Sequence, residues 1–238
     1  MINNYNKIEE IENLKDLELV RDQTHTKIYK GTYEDKKVYI KLLKNYNPRV
    51  KRQDVLKSKE ELNKLKIKSF EIITTGKIKD EKYYISEEVI GKDFEMLLDE
   101  GKKFEDIKDD ISITMGLFVK MLKNNLFYFG YNLKNVMLSN GEFILIDIEE
   151  IEKKIFLKKK AKIKTIWSAL RSLEAGAKRT NISYELLEEM FYEEYNKEFG
   201  DLLKLKKQIA FYKKIRDRKK ELKNKKKNNK FLKIFKGI

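Results

Sequence analysis

Apolar residues fall in short alternating runs through roughly the first ninety positions and at helical spacing through most of the rest. That change of period predicts a strand-rich part followed by a helical part. Leu17 to Val20 makes a first short run. TKIYKGTYEDKKVYIKLLK then reads as two strands about a Glu34-Asp35 turn, with Ile28 and Tyr29 on one arm and Val38 to Leu43 on the other. The only proline, Pro48, closes that region. Within residues 52–66, Val55, Leu56, Leu62 and Leu65 recur near helical spacing, so a helix with one apolar face is expected. SFEIITTGKIKDEKYYISEEVI breaks at Gly76 and again at Asp80-Glu81 and alternates as further strands would. Five strands with one helix inserted after the third form a small antiparallel sheet lobe.

Gly91 and Lys92 end that pattern. Asp93 is placed to cap a short helix that stops at Gly101. Residues 104–126 carry Ile107, Ile111, Met115, Phe118, Val119 and Leu122 on one face of a long amphipathic helix. Another helix holds Ile163, Ile166, Trp167, Leu170 and Leu173 together, and Asn181 or Ser183 caps a third, YELLEEMFYEEYNKEF. Trp167, Phe191 and Tyr195 read as helix-packing core. Between these helices, residues 127–150 hold two apolar runs about Asn140-Gly141, a strong short-range hairpin signal. The expected organisation is a polar leader (1–13), a sheet lobe (14–90), a helical lobe (91–200) and a basic end (201–238).

Composition narrows the chemistry. The 238 residues include no cysteine, so disulfides, thiolate catalysis and cysteine-bound zinc are excluded. One histidine, His25, cannot build a histidine metal cluster. The N-terminus has no signal pattern and no run reaches membrane-spanning length, so a reducing, cytoplasmic setting is expected. The net charge of +15 is concentrated at one end. Residues 204–238 carry 16 Lys/Arg against Asp217 and Glu221, leaving the first 203 residues at +1. Leu202, Leu203, Leu205, Ile209, Tyr212 and Ile215 lie close to one helical face there, and Phe231, Leu232, Ile234 and Phe235 follow among lysines. A basic amphipathic end suits an anionic membrane surface, its alternative being a solvated charged extension. Nucleic acid is not expected as a partner, because the near-neutral body offers no matching basic groove.

Two features carry candidate chemistry. Lys41 sits inside an apolar strand, either as an edge residue reaching solvent or as a buried cation with a partner. The hairpin sets Asn135 before its first strand and Asp147 after its second. An amide and a carboxylate at one edge of a hairpin can share Mg²⁺, which prefers hard oxygen ligands; an ordinary surface hairpin with polar ends is the other reading.

In this order the landmarks resemble the protein-kinase-like fold, over residues 15–175. VYIK at 38–41 is similar to its strand-three lysine motif. The resemblance implies a bilobal α+β chain that binds ATP and Mg²⁺. Lys41 would hold the α/β-phosphates, and Glu60, with Glu61 as second choice, would orient Lys41. Glu87, Glu88 and Val89 would form the hinge that receives adenine, and Asn135 with Asp147 would bind the metal. ILIDIEEIEKK, followed by a basic stretch and TIWSALRSLE, is similar to the lipopolysaccharide kinases, in particular the core heptose(II) kinases. That branch implies transfer of the γ-phosphate to a sugar hydroxyl of a lipid-linked core oligosaccharide, at the cytoplasmic face of the inner membrane.

Two departures stand out. Arg21 to Lys27 contains no glycine, where the family places a glycine-rich loop over the phosphates. Counting back from Asn135, the position of the family's catalytic aspartate is Gly130, which has no side chain to accept a proton. Asn132, Glu149 and Glu150 are candidate substitutes. The expected activity is therefore a phosphotransferase with an atypical catalytic loop, and the alternative is a pseudokinase that binds nucleotide without catalysis.

Overall fold

The computed structural model describes residues 11–44, 54–79, 81–154, 156 and 158–235. Pro48, and the side chains of Phe231, Leu232, Ile234 and Phe235, lie outside what it describes. The chain divides into two compact units, one of residues 1–103 and 133–153, the other of residues 104–132 and 154–238.

The first unit is built on an antiparallel sheet in the order β1-β2-β3-β5-β4. Its strands are β1 (Leu14–Asp22), β2 (Thr26–Tyr33), β3 (Lys36–Leu43), β4 (Ile72–Ile78) and β5 (Glu81–Glu87). The β2–β3 hairpin turns on Glu34 and Asp35, both at positive φ, the backbone a two-residue primed turn requires. Tyr29, Val38, Ile40, Leu42, Ile78 and Ile85 close into the core of this sheet. Gly76 does not interrupt the fourth strand as its sequence suggests. It lies within β4 opposite Tyr83, whose ring occupies the space where a Cβ would stand, 2.6 Å away. The residue is small because its cross-strand neighbour folds over it.

Helix α1 (Val55–Lys64) follows β3, and its N-cap Asp54 accepts from the amides of Leu56 and Lys57 at 3.2 and 3.4 Å. Capping of this kind satisfies amides that the helix itself cannot. Beyond the sheet, β6 (Lys92–Asp93), β8 (Val136–Ser139) and β9 (Glu142–Leu145) form a small second sheet in the order β6-β8-β9. The β8–β9 hairpin turns on Asn140 and Gly141, both at positive φ. The Leu145 amide donates to the Lys68 carbonyl at 3.0 Å and the Phe70 amide to the Leu145 carbonyl at 3.2 Å, tying the hairpin to the chain leading into β4. Asp93 caps α2 (Phe94–Asp99) by accepting from the Met96 amide at 2.9 Å. Strand β10 (Ile151–Lys153) completes this unit.

Gly91 lies where the chain leaves the main sheet for β6. A Cβ there would stand 2.5 Å from the Leu138 carbonyl oxygen and 3.2 Å from the Ser139 Cβ. Backbone cannot rotate away as a flexible side chain can, so Gly91→Ala should cost about 1–3 kcal/mol, the usual range for overpacking. A fall in the urea midpoint at unchanged slope would register it.

The second unit contains α3 (Phe104–Lys123), β7 (Leu126–Tyr128), α4 (Lys158–Thr180), α5 (Tyr184–Phe199) and α6 (Leu202–Phe235). Phe118 of α3 meets Tyr131 and Phe191 at 4.3 and 6.0 Å between ring centroids, the centre of its core. Ser183 caps α5, its hydroxyl accepting from the Leu186 amide at 3.3 Å, while Gly200 at φ +64 ends it. Asn181 instead takes the left-handed conformation after α4. Trp167 is half-buried rather than central: it meets Tyr212 edge-on at 5.6 Å, and the Arg171 and Arg216 guanidinium carbons lie 5.4 and 5.2 Å from its ring centre.

The basic end is one continuous helix whose apolar residues divide between two faces. Leu205 and Ile209 are buried, on the side where Tyr212 meets Trp167 of α4. Leu203, Phe211, Ile215 and Leu222 are exposed. The single apolar face expected from the sequence is thus two, one spent on packing and one left open among lysines. Among the described residues, no helix is long and apolar enough to cross a membrane.

Candidate active site

Lys41 projects from β3, which lies between β2 and β5 and is buried at every position from Ile40 to Leu43. It is therefore no edge residue, and only 7% of its surface is exposed. A buried ammonium needs partners. Its Nζ is ion-paired with both Asp147 and Glu149. Burial alone would lower its pKa; the charges of Glu149 and then Asp147 outweigh that and raise it, so Lys41 is a cation at neutral pH.

The path of the chain out of the β8–β9 hairpin brings the two carboxylates to Lys41. Val136 pairs with Leu145, and the Ile146 amide donates to the Asn135 carbonyl at 2.9 Å, which sets Asn135 opposite Ile146, the residue before Asp147, at the hairpin's base. Asp147 has φ +60, a left-handed conformation that few side chains tolerate and Asp tolerates better than most. That reversal starts a one-turn 3-10 helix, Ile148–Glu150, and turns Glu149 inward, where it is 5% exposed. The Tyr84 hydroxyl donates to Glu149 Oε2 at 3.1 Å. Tyr84 is the direct cross-strand partner of Lys41. Burial first, and then the charges of Glu149 and Asp147, push the Tyr84 phenol far above its ordinary pKa, so it stays a neutral donor.

A cavity of ≈ 290 Å³ opens onto this cluster. Its walls are mostly apolar, with Val20, Ile28, Val89, Met137 and Ile146, and its charged lining residues are Arg21, Lys41, Glu87 and Asp147. An apolar slot with a few convergent polar groups is the usual form of a small-molecule site. One ammonium against two carboxylates gives the cluster a formal charge of −1, which suits a polyanion that arrives with its own cation. Asp147, with 42% of its side chain exposed, and the half-buried Asn135 offer hard oxygen donors. No group of three His, Cys, Asp or Glu among the described residues forms a preformed metal cage. Mg²⁺ keeps waters and shares substrate phosphates, so this sparse pair fits a metal delivered with nucleotide.

The other sequence candidates are distributed unevenly. Glu60 does not reach Lys41: it is exposed on α1 and pairs with Lys64 at 3.0 Å. Glu61 pairs with Lys153 at 2.6 Å and Lys64 at 2.8 Å. The buried carboxylate on Lys41 is Glu149, which the sequence suggested only as a substitute base, and Tyr84 was not anticipated. In the segment expected to form the hinge, Glu87 and Val89 line the cavity, whereas Glu88 pairs with Lys30 at 2.7 Å. The Glu87 and Glu88 amides donate to the Glu71 and Lys37 carbonyls. Glycine-free Arg21 to Lys27 forms a tight turn, with the Gln23 amide donating to the Thr26 carbonyl at 2.8 Å, and Arg21 itself lines the cavity. Gly130 and Asn132 belong to the second unit, where the Asn132 amide donates to the Gly130 carbonyl at 3.1 Å. Glu150 is half-buried.

Comparison with solved structures bears on the fold. A structure of WaaP in complex with acyl carrier protein aligns at a TM-score of 0.58 with 12% identity, over 85% of this chain and 90% of that one. An aminoglycoside-3'-phosphotransferase of type VIII aligns at 0.59 with 12% identity, over 86% and 93%. No protein-family model and no curated protein sequence matches the chain. The chain has the protein-kinase-like fold, α+β, with an antiparallel sheet in its N-terminal part and a mainly helical C-terminal part.

Proposed function

We propose that the protein is an ATP-dependent phosphotransferase acting on a sugar hydroxyl of a lipid-linked lipopolysaccharide core oligosaccharide. The observation that carries the proposal is the mostly apolar cavity lined by Lys41 and Asp147, on a kinase-like fold. Adenine would lie against Val89 and Met137, and Lys41 would hold the α/β-phosphates. Asp147 and Asn135 would hold Mg²⁺, whose chemistry is to neutralise charge developing on the transferred phosphoryl group. Phosphoryl transfer depends chiefly on positioning and charge, which these residues supply without a general base. The likeness to an aminoglycoside phosphotransferase supports a sugar hydroxyl as acceptor.

A second reading, a pseudokinase that binds nucleotide without transfer, is favoured by Gly130 at the expected aspartate and by the glycine-free turn. Purified protein incubated with Mg-ATP and deacylated core oligosaccharide separates the two. A mass gain of one phosphate on the oligosaccharide is expected. No gain, together with thermal stabilisation by Mg-ATP, would establish the pseudokinase.

The open face of α6 supports peripheral attachment to the inner membrane. Phe211 and Leu222 stand exposed with Lys204, Lys207 and Arg218 near them. Insertion of the apolar stripe and attraction of lysines to anionic lipid act together in such helices. Binding to vesicles containing phosphatidylglycerol should fall with salt, and should weaken at least about tenfold on deleting residues 220–238, given roughly 1 kcal/mol per basic residue near the surface. Phe211→Glu should weaken it as well. Binding unchanged by both alterations would rule out this mode of attachment.

A further inference from the structure

We infer that Glu149, braced by Tyr84, is the residue that positions Lys41 for a nucleotide's phosphates, in place of a carboxylate on α1. The inference rests on the phosphotransferase reading above. Lys41 has two acidic partners, and they differ in what they are free to do. The Asp147 side chain is 42% exposed and lines the cavity, so it can leave Lys41 for an incoming cation. The Glu149 side chain is 7% exposed and both of its oxygens are engaged, Oε1 by Lys41 and Oε2 by Tyr84. Those two neighbours face each other across β3 and β5, so one carboxylate joins adjacent strands of the same sheet. Tyr84 is itself fixed by Phe70, stacked on its ring at 5.5 Å and 14°.

Helix α1 acts on this arrangement indirectly. Its glutamates point to surface lysines, but the buried Ser58 hydroxyl donates to the Ile151 carbonyl at 3.1 Å and Glu61 pairs with Lys153. Both contacts fall just beyond Glu149 in the chain, so the helix fixes the segment that carries the positioning carboxylate. When Asp147 turns towards a cation, Glu149 is the partner that remains to keep the Lys41 ammonium in the cavity.

The test compares the full-length wild type with Glu149→Gln, Tyr84→Phe and Glu60→Gln. Each is titrated with ATP and with AMP, once with Mg²⁺ and once with EDTA. Glu149→Gln should lose about tenfold or more in ATP affinity under both conditions, since one charge-assisted contact is worth about that much. Its AMP affinity should hold, Tyr84→Phe should fall between, and Glu60→Gln should match the wild type. A loss confined to Mg²⁺ would make Glu149 a metal ligand instead, and equal losses for ATP and AMP would reduce it to a support of the cavity wall. Either result, or a Glu60→Gln variant as weak as Glu149→Gln, overturns the inference.

A urea double-mutant cycle tests the pair without nucleotide. The Lys41→Met/Glu149→Gln protein should be more stable than the sum of its single variants, whereas Lys41→Met and Glu60→Gln should add. Additivity in the first pair overturns the inference. A wild type that binds neither nucleotide overturns the phosphotransferase reading, and the cycle then still decides whether Glu149 holds Lys41.

Discussion

Lys41→Met should be among the most destabilising single substitutions in this chain, and should also abolish stabilisation by Mg-ATP. Methionine fills much of the lysine's volume, so the loss is one of charge rather than of packing. Glu149 would remain 5% exposed with its ammonium removed and one Tyr84 hydroxyl left to it. Breaking a buried pair by deleting one member costs about 3–5 kcal/mol, because the survivor keeps its desolvation penalty without its attraction. The surviving hydrogen bond places the expectation near the lower end. Urea unfolding should show the loss as a lower midpoint. The nucleotide effect is separable: a ligand at a hundred times its Kd adds about 2.7 kcal/mol to a protein that binds it, and Lys41→Met should show none of this. A variant as stable as the wild type would mean that Glu149 is not held by Lys41 in solution.

The parts of this fold that were legible in the sequence are those set by local pattern. Asn140-Gly141 gave the hairpin because primed turns need positive φ at both central residues, and Asn and Gly supply it cheaply. The apolar run from Val38 to Leu43 marked β3, and the polar turn at Glu34-Asp35 bounded it. The 52–66 helix was likewise visible in its apolar spacing. What local pattern does not carry is direction. Helical spacing located α1 but did not say that Glu60 and Glu61 face Lys64 and Lys153 rather than the sheet.

The inward turn of Glu149 was hidden for a related reason. It depends on one left-handed residue, Asp147, and aspartate occurs far more often in ordinary conformations. A signal was nevertheless present: IDIEEI sets Glu149 between the buried Ile148 and Ile151, an apolar setting in which a carboxylate needs a cation. Lys41, in an apolar strand, stood in need of an anion. The contact between them meets both requirements. The two faces of α6 were less accessible, since which apolar residues pack depends on where Trp167 and its neighbours on α4 lie.

Asp147→Asn should eliminate transfer while leaving the fold in place, and the choice of asparagine matters. At φ +60 an alanine strains the backbone by about 1–2 kcal/mol, so lost activity in Asp147→Ala mixes chemistry with stability. Asparagine is nearly isosteric, accepts the left-handed conformation readily, and removes only the charge. Lys41 keeps Glu149 as its partner, so the sheet unit should melt within a few degrees of the wild type. Transfer to oligosaccharide should fall by about a thousandfold or more, the rate equivalent of the several kcal/mol that a metal contributes at a transferring phosphoryl group. The same variant is informative even if the wild type transfers nothing. Mg²⁺ should then tighten ATP binding to the wild type and have little effect on Asp147→Asn, because the added cation has lost its anionic anchor. Retained transfer, or Mg²⁺ dependence equal to the wild type, would remove Asp147 from the metal site and leave it only as a partner of Lys41.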